Sequence, residues 1–396
     1  MSRTIDDLPV WAEIDLEAIA HNVREVRRVT NPEARVMAVV KANAYGHGAI
    51  KVARVGLENG ADFLGVARAH EGVELRKTGI RAPILIFGYS PPGFTRKLVE
   101  YNLTQTVYST EMAESFSDAA RAMGKSVKVH LKIDTGMGRL GLNYVQPTRQ
   151  TVVTEMSNGK ALREAAAIAA LPGLNLEGIY THFASADSAN KESAKKQISK
   201  FMDFLEQLKN KAVDVPLKHA ANSAAVIDMP ETHLDLVRPG IMLYGLYPSG
   251  EVDKARVSLK PAMQLKARVA HVKNVPAGFK VSYGSTYETQ RSTTIATVAV
   301  GYADGYSRLL SSSGVVLIRG SRAPVVGRVT MDQTMLDTGH IDNVSPGDEV
   351  VIFGTQGKSS IHVDEIASTV ETINYEVVST IMPRVPRIYI GSPGGH

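Results

Sequence analysis

The 396-residue chain predicts an α/β fold, a (β/α)8 TIM-like barrel followed by a C-terminal mostly-β domain. Three observations predict it. Short apolar runs alternate with helical patterns from Trp11 to about Tyr247. Eight such runs fall within roughly 240 residues, the size of a closed barrel. After Pro248 the texture changes to short alternating strands divided by turn signals. A doubly wound open sheet is the competing architecture, but no Gly-x-Gly-x-x-Gly follows any of the runs.

Taken in order, a helix precedes the first strand, because Leu16, Ile19, Val23 and Val26 recur at helical spacing behind Asp15 as N-cap. Barrel strands are expected over 35–42, 61–67, 83–88, 103–109, 127–134, 176–183, 216–222 and 234–241. The first, with Val36-Met37-Ala38-Val39-Val40 at its centre, has the β-branched content of a strand buried on both faces. In the second domain, strands are expected over 264–273, 293–300, 315–319, 323–329 and 349–353. Turns such as Ser312-Ser313-Gly314 and Ser345-Pro346-Gly347-Asp348 separate them. One helix over 362–372 places Val363, Ile366, Ala367 and Val370 on one face. The expected domains are 11–255 and 256–396, the second joined by residues 1–10.

Composition excludes several classes of function. With 44% hydrophobic and 21% charged residues the chain is an ordinary globular one, and no stretch approaches the ~20 apolar residues that span a bilayer. The first ten residues lack the apolar core of a signal peptide, so a cytoplasmic protein is expected. Zero cysteines remove disulfides, thiolate catalysis and cysteine-held metals, and no metal site is expected. The formal charge of +5 is spread along the chain, and its densest run, KESAKKQISK at 191–200, reads as the solvated face of a helix without the aromatic residues of a nucleic-acid surface.

In such a barrel the loops after the strand ends build the site. Lys41 ends the first run, Lys132-Ile133-Asp134-Thr135-Gly136-Met137-Gly138-Arg139 leaves the fifth, and Thr181-His182 leaves the sixth. Asn222-Ser223 follow the seventh and Arg238-Pro239-Gly240-Ile241 the eighth. An unsolvated lysine there is a good nucleophile for an aldehyde cofactor, though it also reads as a strand-end lysine snorkelling to water. Gly240 alone is equally a turn glycine, His182 a hydrogen-bonded core imidazole, and Arg139 a surface ion-pair partner. Their joint placement on five strand ends is the argument. Serine hydroxyls and glycine amides cradle phosphate, while arginine forks grip carboxylate.

These residues resemble the alanine racemases, pyridoxal-phosphate enzymes that pair a barrel with a β domain. The resemblance runs from Trp11 to the last strand near Ile388. It rests on VVKANAYGHG at 39–48, DTGMGRLG at 134–141, THFASAD at 181–187, ANSAA at 221–225, RPGIMLYG at 238–245, VSYG at 281–284, GYADGY at 301–306 and MDQ at 331–333. It implies that Lys41 holds the cofactor covalently, with Tyr45, Asn222, Ser223, Gly240, Ile241 and Tyr375 around its phosphate side. Arg238 would face the ring nitrogen beside His182. Arg139, the Met331 amide, Asp332 and Tyr302 would receive substrate, and Lys132 stands where relatives often carry a carbamylated lysine. Tyr283, Tyr302, Met331 and Asp332 would come from the second subunit of a homodimer with shared active sites. Ala220 and Thr330 depart from the family, standing where relatives often have cysteine.

The chemistry agrees with the resemblance. The α-proton of an amino acid is too weak an acid for an unassisted base, so an electron sink is needed, and pyridoxal phosphate is one. Inversion then needs a base on each face, and the resemblance implies Lys41 for the D-enantiomer and Tyr283 for the L-enantiomer. The expected activity is interconversion of L- and D-alanine, supplying D-alanine for peptidoglycan. A broad-specificity racemase and a decarboxylase of the same architecture are the enzyme alternatives. Related decarboxylases typically use a cysteine-aspartate pair, where this chain has Met331-Asp332. A non-catalytic cofactor carrier would need neither the β domain nor Tyr283.

Overall fold

The computed structural model describes residues 5–144 and 152–391. By internal packing the chain forms two units, one of Ile19–Ala44 with Ala49–Lys260, the other of Met1–Ala18, Tyr45–Gly48 and Pro261–His396.

The first unit is a nearly closed barrel. Its parallel strands are Arg35–Val39, Phe63–Val66, Ile84–Ile86, Thr104–Val107, Val127–Asp134, Leu174–Tyr180, Leu217–His219 and Leu236–Val237. Leu236–Val237 pairs back onto Arg35 and Val36, and the Asp235 and Arg238 amides donate to the Lys218 and Ala221 carbonyls at 3.0 and 2.9 Å. All eight expected strands are present, most of them shorter than expected at their carboxyl ends. There the chain turns outward into the mouth: Asn222, expected inside the seventh strand, instead caps the helix Ser223–Asp228 by accepting the Ala225 amide at 3.1 Å. Met37, Phe63, Leu85 and Leu236 fill part of the interior, with Phe87 and Leu217 packed against them. Cutting back such a buried side chain costs about 2–5 kcal/mol.

The second unit is built on the strand Met263–Val275, which pairs antiparallel with Val10–Asp15, Thr293–Val298 and Glu349–Gln356. Val10–Asp15 is therefore a sheet strand of this unit, and Asp15 then caps the following helix by accepting the Glu17 and Ala18 amides at 2.9 and 3.0 Å. Its other edge pairs parallel with Arg387–Ile390. The expected strand 323–329 is divided: Ser321–Pro324 pairs with Val315–Ile318, and Val325 makes only a single bridge to Leu336. Thr334–Asp337 and Ser359–Ile361 are further strands whose shortness hid them. The expected helix 362–372 stops at Thr369, Glu371 turns left-handed (φ 56), and a second helix covers Asn374–Ser379. No helix of the described residues is long and apolar enough to cross a membrane.

Candidate active site

At the barrel mouth the expected residues form an arc. The Val39 amide donates to the Pro239 carbonyl (3.1 Å), setting the first strand's end, two residues before Lys41, beside the segment that carries Arg238 and Gly240. Thr181 N–H reaches the His219 carbonyl (3.2 Å) and Lys132 is in register with Tyr180, so the fifth to eighth strand ends follow one another. Gly240 N–H donates to Ser223 Oγ at 2.8 Å, joining the serine hydroxyl to the start of the Ile241–Tyr244 turn. A hydroxyl and the amides at two short helical starts suit a phosphate.

Arg238 is the centre of the arc. It is buried, and its guanidinium donates to the Thr181 and Ala220 carbonyls (2.8 and 2.9 Å), to His219 Nδ1 (2.8 Å) and to His182 Nδ1 (3.3 Å). None of these partners is a carboxylate, and burial pulls its pKa down to about 10. A guanidinium only donates, so His219 accepts at Nδ1 and carries its proton on Nε2, the atom 2.9 Å from His130 Nδ1. The same logic puts the proton of His182 on Nε2. Tyr180 stacks on His219 (centroids 4.7 Å apart) with the Arg238 guanidinium 5.0 Å and the Lys132 amine 5.6 Å from its ring centre.

The electrostatics are those of an anion site. Burial and then Arg139 hold the Lys41 amine below the ordinary lysine range, with Glu71 opposing. Lys132 is pushed down to about 8 by burial, then by Arg139 and Arg238. His182 is kept well below the usual imidazole range by burial first and then by Arg238, Lys132, Arg139 and Lys41. It is therefore neutral near pH 7. Arg139 lies exposed on a loop organised by one carboxylate: Asp134 accepts the amides of Gly136, Met137, Gly138 and Arg139 at 2.8–3.1 Å.

After Lys41 the backbone does something the sequence does not announce. Ala42, Asn43 and Ala44 have φ/ψ near 53/50, and Tyr45 has φ 51, a left-handed turn built without glycine. Such residues cost about 1–2 kcal/mol each and persist only where surroundings over-determine them. Glu71 is one constraint, accepting the Ala42 amide at 2.6 Å and the Ala67 and Arg68 amides at 2.8 Å each.

In the second unit the other expected residues form two groups. Tyr45 is buried, its ring 6.1 Å from that of Tyr375. Tyr283, Tyr302 and Met331 are large apolar residues left exposed, Tyr283 by 73%. Tyr302 N–H donates to the Thr330 carbonyl and Ala303 N–H to the Met331 carbonyl, both at 3.0 Å, which laces the GYADGY and MDQ loops together. Arg384 bridges Asp304 (2.7 Å) and Asp332 (2.8 Å). Ser282 Oγ–H holds the Tyr283 turn to the Arg328 carbonyl at 2.7 Å.

His219, His130, Glu71, Asp134 and Arg384 are not among the residues the sequence singles out for the site. Inward alternation along the seventh strand could have found His219, and Asp134 could have been found as the carboxylate heading a glycine-rich turn; His130, Glu71 and Arg384 take their meaning from distant partners. No cluster of three or more histidines or carboxylates able to hold a metal occurs among the described residues.

Comparison with known proteins agrees over almost the whole length. Residues 14–248 match a family model described as alanine racemase, N-terminal domain, and residues 262–389 one described as alanine racemase, C-terminal domain. An alanine racemase of Desulfosudis oleivorans is 55% identical over 385 residues, 97% of each chain. Among solved structures, an alanine racemase of Clostridium difficile 630 superposes with a TM-score of 0.90 at 39% identity, covering 98% of this chain and 97% of that one. An alanine racemase of Bacillus anthracis with bound L-Ala-P gives 0.86 at 40%, covering 97% and 95%.

Proposed function

This chain belongs to the alanine racemases, pyridoxal-phosphate-dependent isomerases of alanine, and from that premise we propose that it acts as a homodimer whose sites pair Lys41 of one subunit with Tyr283 of the other as the two bases. Its substrates are L- and D-alanine. The observation that carries the reading is Arg238, a buried cation bonded only to neutral acceptors. A carboxylate in its place would protonate a pyridine nitrogen, whereas a guanidinium donates to one and leaves it neutral. The residues present therefore fit the cofactor.

Lys41 would hold it covalently, Arg238 would meet the ring nitrogen with His182 alongside, and Tyr45, Asn222, Ser223, Gly240, Ile241 and Tyr375 would surround the phosphate. When bound, the cofactor withdraws electrons from the substrate's Cα–H bond, so a side-chain base can take that proton. Once the substrate amine has taken its place, the freed Lys41 Nζ would move the proton on one face. On the other, the Tyr283 hydroxyl must act as phenolate, and His182, donating from Nε2 and backed by Arg238, is the group suited to stabilise it. Arg139, the Met331 amide, Asp332 and Tyr302 orient the substrate. The exposure of Tyr283, Tyr302 and Met331 supports an assembly in which a second copy covers them. Cytoplasmic supply of D-alanine for peptidoglycan is the role that fits.

Lys132, with a pKa near 8, keeps a usable fraction of neutral amine at pH 7–8, the form that adds carbon dioxide to give a carbamate and release a proton. A carbamate there would set a negative charge within reach of Arg139.

The direct test is to incubate purified protein with L-alanine and pyridoxal phosphate and resolve the product by chiral chromatography. D-alanine should accumulate to an equal mixture. Bound cofactor without D-alanine would move the assignment to the decarboxylase or to the non-catalytic cofactor carrier.

Arg139→Ala should raise KM for alanine by about tenfold to a hundredfold, the worth of a charge-assisted hydrogen bond, with the cofactor affinity of the neutral-amine form little changed. The same substitution gives a pH test. Cofactor loading needs the neutral Lys41 amine; Arg139 lowers the pKa of that amine, so its removal raises it. The midpoint of loading against pH, followed by visible absorbance, should shift upward. A fixed or lower midpoint would contradict the electrostatic account.

A further inference from the structure

The strained turn after Lys41 runs into Tyr45–Gly48, and these four residues are seated in the second unit by the end of the chain. Arg387 Nε–H donates to the Gly46 carbonyl at 2.9 Å. Its Nη1 donates to the Met382 and Val385 carbonyls (2.7 Å each) and its Nη2 to the Ile381 carbonyl (2.6 Å). All four bonds end on main-chain carbonyls, so this side chain ties backbone to backbone. Its own base is firm, because Arg387–Ile390 is in register with Ala12–Asp15.

Other contacts repeat the tie. The Tyr45 and Tyr375 rings meet at 6.1 Å. A Cβ on Gly46, already at φ +85, would lie 2.2 Å from the Val378 carbonyl oxygen, and one on Gly48, at φ +99, would lie 1.9 Å from the Tyr389 hydroxyl. Two of the four positions therefore admit only glycine, so close is the seat.

We infer that Arg387 is a positioning residue that latches the left-handed turn following Lys41 onto the carboxy-terminal segment and thereby sets the affinity for pyridoxal phosphate. Four consecutive left-handed residues relax when their surroundings let go. Each chain that relaxes leaves the binding-competent geometry, and apparent affinity falls by the competent fraction. The inference deepens the cofactor reading above and rests on it.

The test uses full-length holoenzyme, wild type beside Arg387→Met, Arg387→Lys and Gly46→Ala. Two quantities are measured: the dissociation constant for pyridoxal phosphate from its visible absorbance, and hydrogen exchange of the amides of residues 42–48 against those of the sheet strand Met263–Val275. Arg387→Met should weaken cofactor binding on the order of tenfold to a hundredfold and speed exchange at 42–48 while the sheet strand stays protected. Arg387→Lys, which keeps the charge but loses the fork, should fall between. Gly46→Ala should reproduce the loop signature independently, and Arg387→Lys decides the matter if Arg387→Met does not fold. Unchanged affinity and exchange would overturn the latch, as would a rise in exchange spread equally over the sheet. Wild-type protein that fails to take up the cofactor through Lys41 would instead overturn the function itself.

Discussion

Lys41→Ala should lose the visible absorbance of covalently held cofactor and essentially all racemisation. In the proposed mechanism the amine at the end of the first strand both holds the cofactor and serves as the base for one face, so a single deletion removes attachment and proton transfer together. Loss of one general base alone costs about 10²–10⁴-fold in rate, and loss of attachment adds to that. Lys132 is held elsewhere: it sits on the fifth strand, its amine 5.6 Å from the centre of the Tyr180 ring. An intact visible band in the variant would refute the assignment of Lys41.

Tyr283→Phe should separate the two faces. The phenylalanine keeps the exposed ring and removes only the hydroxyl, so binding of cofactor should be unaffected while racemisation falls about 10²–10⁴-fold. In deuterated water the variant should still exchange the α-hydrogen of D-alanine, because Lys41 remains, yet fail to exchange that of L-alanine. Proton and mass spectra of each recovered enantiomer distinguish the cases. Equal loss of exchange from both enantiomers would mean that Tyr283 orients substrate or closes the site rather than acting as a base.

Much of this was legible from the chain because barrel chemistry is periodic. A strand end can be counted, and Lys41, Lys132, His182, Ser223 and Arg238 each fall at or beside one. Their roles were not legible from spacing; those rest on the resemblance. Non-local pairing hid more. Val10–Asp15 finds its partners about 250 and 375 residues away, at Met263–Ala267 and Arg387–Ile390, and nothing local distinguishes it from a strand that opens a barrel. His130 and His219 look like ordinary core histidines until Arg238, a pure donor, fixes which nitrogen of His219 carries the proton and, through His219, which nitrogen of His130 accepts it. The turn after Lys41 ran against propensity altogether, since Ala42, Asn43, Ala44 and Tyr45 include no glycine, and its constraints come from Glu71 and Arg387. Where local preference and structure disagree in this way, strain has been placed next to Lys41.

The measurement that tests the central claim most directly is complementation between two inactive variants. Lys41→Ala and Tyr283→Ala homodimers should each be nearly dead, but a mixed dimer collects both lesions in one site and leaves its second site intact. Random exchange of subunits makes about half of the dimers mixed, with one good site in two, so activity should recover to about a quarter of wild type. If mass spectrometry shows that subunits have exchanged and no racemisation returns, Lys41 and Tyr283 do not act across a subunit boundary, and the two-base dimer proposed for this chain is wrong.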